Sequence, residues 1–85
     1  MLGEELNPRT LEDHLDAKSR LQELMQRDGG MPNYEYLSME GPPHAPVFYY
    51  RVCDGARVLG EGSGQSKQNA QQSAARDALK RMGAL

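Results

Sequence analysis

Tryptophan is absent from this 85-residue chain, and cysteine and phenylalanine occur once each. A lone Cys53 can form no internal disulfide, and two histidines make no Cys/His cluster of the kind that folds around zinc. A reducing, cytoplasmic setting is therefore expected. No apolar run approaches the roughly 20 residues that a membrane helix needs. Glu4 and Glu5 stand where a signal peptide would carry its basic and apolar regions, so none is expected. Positive charge is scarce too: ten Lys and Arg against twelve Asp and Glu leave a net −2. Nor is there a nucleophile paired with a base, or a metal-binding cluster, which makes an enzyme in its own right the least supported class.

What is present is enough for one small domain. A chain of this size buries only about 60% of its unfolded surface, so its core must be economical. Hydrophobic residues make up 38% and charged residues 26%, a soluble, globular balance. The charge is unevenly spread. Residues 1–18 carry two basic and five acidic side chains (−3), residues 19–65 four and six (−2), and residues 66–85 four and one (+3). A polyanion responds to that local distribution rather than to the total.

Residues 1–15 show no strong period and read as a linker, with at most a weak helical turn around Leu11 to Leu15; residues 16–85 read as the domain. Asp16 suits an N-cap. Beyond it Ala17, Leu21, Leu24 and Met25 recur at helical spacing, until Asp28-Gly29-Gly30 and Pro32 stop a helix near 17–27. Three strands are expected next. Tyr34 to Glu40 ends at Gly41-Pro42-Pro43. Val47 to Cys53 alternates Phe48, Tyr50 and Val52 on one face. Asp54-Gly55 then turns the chain into a third strand around Arg57 to Glu61. Gly60, Gly62 and Gly64 are read as loosening the chain before Ser66, which suits the N-cap of a long last helix. There Ala70, Ala74, Ala78 and Met82 form one i+4 row, with Ala75 and Leu79 beside it. The expected fold class is α+β: an α-β-β-β-α order with two helices packed on one face of a three-stranded antiparallel sheet. Such a fold serves many functions, so function must come from its sites.

Three segments together resemble the double-stranded-RNA-binding domain family. Asp16-Ala17-Lys18-Ser19-Arg20-Leu21-Gln22-Glu23 is similar to the opening of that domain in bacterial ribonuclease III. Gly41-Pro42-Pro43-His44-Ala45-Pro46-Val47-Phe48 matches the family's Gly-Pro-x-His-x-Pro-x-Phe loop. Gly60-Glu61-Gly62-Ser63-Gly64-Gln65-Ser66-Lys67 leads into Ala70 and Ala74-Ala75 as the family's last helix does. The resemblance spans residues 16–83, with its segments in the expected order. The stretch before Asp16 resembles the linker that follows the ribonuclease III nuclease domain, while no acidic signature like that domain's metal site occurs in these residues.

The resemblance implies binding to double-stranded RNA by shape. A-form RNA hides its bases in a deep major groove and displays 2′-hydroxyls in a wide minor one. Ser19, Gln22, Glu23 and Gln26 share one face of the first helix and suit 2′-hydroxyls, which donate and accept hydrogen bonds. By pattern alone that face is an ordinary solvated surface; the resemblance assigns it to one minor groove. Pro43, His44 and Ala45, in the stiff loop, are assigned to the second. His44 has no partners arranged for catalysis. Ser66, Lys67, Gln68 and Gln71 open the last helix, whose free N–H groups favour phosphate. The family usually carries lysines at 67 and 68 and a basic residue at 71. Gln68 and Gln71 release no counterions, which should weaken binding and flatten its salt dependence, with Lys18 and Arg20 as partial compensation. Arg76, Lys80 and Arg81 read as solvated surface, Cys53 as a small strand residue, and the four tyrosines as sheet residues.

The resemblance implies further that this domain holds substrate for a separate, dimeric nuclease domain that cuts with magnesium. No cofactor, metal, membrane or small-molecule substrate is expected for these residues, and the isolated domain is expected to be monomeric. The alternative is a member of the fold that acts as a protein–protein interaction module. The thin lysine cluster and the net −2 favour it; the three matching segments oppose it.

Overall fold

The computed structural model describes residues 16–84; the linker expected over 1–15, with its helical turn and His14, lies outside them, as does residue 85. Five elements follow in order: α1 (Ala17–Gln26), β1 (Asn33–Glu40), β2 (Val47–Asp54), β3 (Arg57–Gly64) and α2 (Lys67–Arg81). The strands form one antiparallel sheet in the order β1-β2-β3. Both helices lie on one face of it, and the expected α+β fold is what forms.

Alternation chooses the buried face. Tyr50 and Val52 point inward from β2 and are buried, while Phe48 is half-buried at the margin. Tyr34 and Tyr36 sit opposite Val52 and Tyr50 and share that face. Outward, Arg51 bonds Glu35 at 2.6 Å, but both side chains are about 40% exposed, so the pair contributes little to stability. Leu21 and Met25 of α1 and Leu79 of α2 complete the core; Leu24 sits at its edge. The β2–β3 register shifts between Val52 and Cys53, which leaves Leu59 of β3 as the extra residue, and Cys53 is itself buried, 3% exposed.

Gly60, Gly62 and Gly64 do not loosen the chain, since β3 runs straight through them to Gly64. They face α2, whose Ala78, Ala74 and Ala70 backbones lie so close that any β-carbon on these glycines would collide with them. Two steps along a strand cover about 6.6 Å, and four steps along a helix about 6 Å. Alternate strand residues can therefore meet every fourth helix residue. With no side chains at these three positions of β3, helix and strand touch backbone to backbone there. The core there consists of Ala70, Ala74 and Ala78, each fully buried.

The ends follow local rules. Gly29, at φ +79°, stops α1, and its N–H donates to Gln26 O at 3.0 Å. Gly83 closes α2 in the same left-handed conformation. There Ala84 N donates to Leu79 O (2.8 Å) and Gly83 N to Lys80 O (3.1 Å), a Schellman pair. The β2–β3 turn centres on Gly55-Ala56 rather than Asp54-Gly55. Asp54 pairs with Arg57, and Gly55, at φ +62°, takes the first turn position that only glycine fills easily.

Candidate nucleic-acid interface

The starts of the two helices are built together. Asp16 caps α1: its carboxylate accepts from the Ser19 hydroxyl at 2.7 Å and the Ser19 backbone N–H at 3.4 Å. Gln72 of α2 completes the cap. Its Oε1 accepts from the N–H groups of Ala17 (2.8 Å) and Lys18 (3.2 Å), and its Nε2 donates to Asp16 Oδ1 at 2.8 Å. These bonds favour the charged form, chiefly the one from Gln72, and hold the Asp16 carboxyl below its ordinary value. At the other end of the helices, Met25 and Met82 line a common pocket with Asp28 and Arg57.

This docking leaves the polar face of α1 outward. Ser19, Gln22, Glu23 and Gln26 are exposed and line one shallow groove. Ser19 has donated its proton to Asp16, so toward a ligand its hydroxyl is left as an acceptor; the Gln22 and Gln26 amides offer both donor and acceptor.

The β1–β2 loop is a compact turn. Ala45 N donates to Pro42 O at 3.0 Å, which puts Pro43 and His44 at the corners, both exposed. Pro43 suits the first corner because its φ is already fixed. Gly41, at φ +93°, makes the reversal possible, and a β-carbon there would come within 2.9 Å of Ala45 O. Phe48 pairs with both Met39 and Gly64. The loop and the start of α2 therefore leave the sheet at the same end.

Ser66 caps α2 by accepting from Asn69 N at 3.0 Å, leaving its hydroxyl proton free to donate. Lys67 and Gln68 are exposed at this helix start, which carries no acidic residue in its first turn. An acidic residue is what the dipole would favour there, so the end is left attractive to an outside anion. Lys67 Nζ lies 6.0 Å from the centre of the Tyr36 ring. Gln71 is turned inward: its Oε1 accepts from Lys18 Nζ at 2.6 Å. Lys18 in turn stands 5.0 Å over the Tyr34 ring. Burial pushes the Tyr34 hydroxyl up to about 12, helped by the nearby Asp16 charge, and its Oη finds no partner among the described residues.

The sequence reading missed Gln72, whose partners lie 54 to 56 residues away, and missed that Tyr34 and Tyr36 carry lysines. Arg76 and Lys80 are exposed as expected, and Arg81 pairs with Asp77 at 2.9 Å. Among the described residues, no three His, Cys, Asp or Glu side chains cluster to hold a metal, and no helix is long and apolar enough to cross a membrane.

The model of the family described as double-stranded RNA binding motif matches residues 17–82, from the first residue of α1 to just past α2. The chain belongs to this family. Over 69 residues the domain is 49% identical to ribonuclease 3 of Clostridium botulinum (strain Alaska E43), a match covering 80% of this chain and 30% of that protein. Ribonuclease 3 of Bacillus cereus (strain G9842) is also 49% identical over 69 residues, with 28% of its length covered. The domain thus spans less than a third of the curated relatives it matches. Among solved structures, Arabidopsis HYL1, studied for its implications for miRNA processing, superposes with a TM-score of 0.67 at 34% identity. That match covers 79% of this chain and 96% of that one. Dicer from Pichia stipitis gives 0.65 at 31% identity, covering 79% and 33%.

Proposed function

We propose that this domain reads double-stranded RNA by shape through three surfaces. The exposed α1 face (Ser19, Gln22, Glu23, Gln26) would meet one minor groove, and the Pro43-His44-Ala45 turn the next. The α2 start (Ser66, Lys67, Gln68) would meet the phosphates between, with Gln71 engaged by Lys18 beside it. Domains of this family span roughly 16 base pairs in that manner. One observation carries the reading: the family match runs unbroken from α1 to α2 over three surfaces whose polar groups the fold leaves outward. Nothing in the comparisons favours a protein-interaction module instead.

The likeness to ribonuclease 3 supports a larger role, holding duplex substrate for a nuclease that hydrolyses it. In that reading the partner nuclease domain supplies dimerisation and the magnesium site, the present domain stays monomeric, and the setting is the cytoplasm. A titration with an RNA duplex of about 20 base pairs, beside DNA of the same sequence, tests the binding reading. RNA-selective binding that weakens as salt rises from about 50 to 200 mM is expected. No RNA binding at the lower salt would refute it.

A further inference from the structure

Family membership leaves open how a chain with a single lysine at the start of α2 engages a polyphosphate strand. We propose that Lys18 of α1 is its second phosphate contact, so that the cationic pair is Lys18 with Lys67, mounted from different helices on neighbouring tyrosines of β1. The inference rests on the RNA-binding reading and adds a residue that lies outside the α2 start.

Position supports it first. Lys18 Nζ is bonded to Gln71 Oε1 at 2.6 Å, so the ammonium group stands at the tip of the side chain at position 71. The backbone beneath it is fixed, because Lys18 N and Ala17 N are both held by Gln72 Oε1. Tyr34 and Tyr36, on the same face of β1, have Cα atoms about 6.6 Å apart. Lys18 stands over the first ring at 5.0 Å and Lys67 over the second at 6.0 Å.

Charge supports it next. Two cations elsewhere are held by carboxylates, Arg51 by Glu35 on the outer sheet face and Arg81 by Asp77 near the end of α2. Lys18 rests instead on neutral groups, a carboxamide oxygen and an aromatic ring. Asp16 feels its charge only as the smallest of the influences on that carboxyl. Neutral supports orient an ammonium group without cancelling its charge. Of its three donors one goes to Gln71, and the others remain for a phosphate oxygen. Because the side chain is already held, less rotamer entropy is lost on binding. Gln71 thereby becomes a positioning residue for the cation rather than a direct phosphate ligand.

The experiment uses the whole chain, the same RNA duplex, and affinities measured between about 50 and 200 mM salt. Each phosphate contact contributes about 0.9 to the slope of log affinity against log salt, or roughly threefold in affinity across that range. Lys18→Gln and Lys67→Gln should each flatten the slope by about that amount, and the double variant by about twice as much. Lys18→Arg should restore most of the slope, since it returns the charge. Circular dichroism would show that each variant is folded. If Lys18→Gln keeps the original slope while Lys67→Gln loses its share, the proposal is overturned. A loss of affinity without a change in slope would overturn it too, because that pattern marks a structural lysine. If the unaltered chain binds no RNA, the underlying reading falls, and this inference falls with it.

Discussion

The side chain of Gln72 in α2 spans the first turn of α1, donating to Asp16 Oδ1 at 2.8 Å while accepting from the Ala17 N–H at 2.8 Å. One carboxamide thus satisfies a capping carboxylate and a free helix donor at once. Truncating it would leave the carboxylate and two backbone N–H groups without those partners.

Gln72→Ala should therefore destabilise the domain by about 1–2 kcal/mol. That corresponds to a loss of several degrees in Tm, roughly 4–8 °C per kcal/mol for a domain of this size. Thermal unfolding followed by circular dichroism measures it. An unchanged Tm would mean that water replaces Gln72 at no cost.

Asp16 adds a pH dependence. Its carboxyl sits below the ordinary 3.8, first because of Gln72 and then Ser19. A depressed folded value means that the charged form stabilises the fold. The contribution is complete above the unfolded value and is lost as pH falls through the folded one. Stability should thus fall on acidification below about pH 4 in the unaltered chain. In Asp16→Asn that component of the acid limb should be missing. Urea unfolding at a series of pH values compares the two, and identical acid limbs would contradict the assignment.

Gly62 and Gly55 make a paired test of two different glycine requirements. A β-carbon at Gly62 collides with the Ala74 and Ser73 backbone, and helix backbone cannot turn aside as a flexible side chain would. Gly62→Ala should cost about 3 kcal/mol or more, enough to threaten folding of so small a domain. At Gly55 nothing lies within 4 Å, and only the φ of +62° opposes alanine. Gly55→Ala should cost about 1–2 kcal/mol. Denaturation midpoints rank the two, and the reverse order would contradict the close-packing account.

If Lys67 contacts phosphate as proposed, it sets binding against stability. A cation in the first turn of α2 opposes the helix dipole, so its removal should relieve about 0.3–1 kcal/mol. Lys67→Glu is expected to raise Tm slightly while sharply weakening RNA binding. Gln68→Lys should do the opposite, gaining affinity and steepening the salt dependence at a small cost in Tm. Paired melting and binding measurements check both.

Much of the fold was legible because it rests on local periods. The apolar spacing of Ala17, Leu21 and Met25, the alternation of Tyr50 and Val52, and the caps at Asp16 and Ser66 all speak within a few residues. The glycines were misread for the same reason. Gly-x-Gly-x-Gly resembles loop composition until it is set against Ala70, Ala74 and Ala78, where a period of two meets a period of four. The α1 face, the His44 turn and Lys67 were likewise legible, as segments. The supports behind them were not. Gln71 under Lys18, Gln72 under Asp16 and the tyrosines under both lysines are partnerships across the fold, and no single stretch of chain announces them.

The glycine–alanine contacts also bear on how the chain finds its shape. Gly64 meets Ala70, Gly62 meets Ala74 and Gly60 meets Ala78, so the three contacts nest around the short connection at Gln65-Ser66. Once the innermost contact has closed, each later one encloses only a short additional length of free chain, and the entropy lost at each step stays small. β3 and α2 can thus close outward from their junction as a local unit, the kind of contact order associated with fast folding. The end of α2 that carries Lys67 is secured by the shortest of these loops.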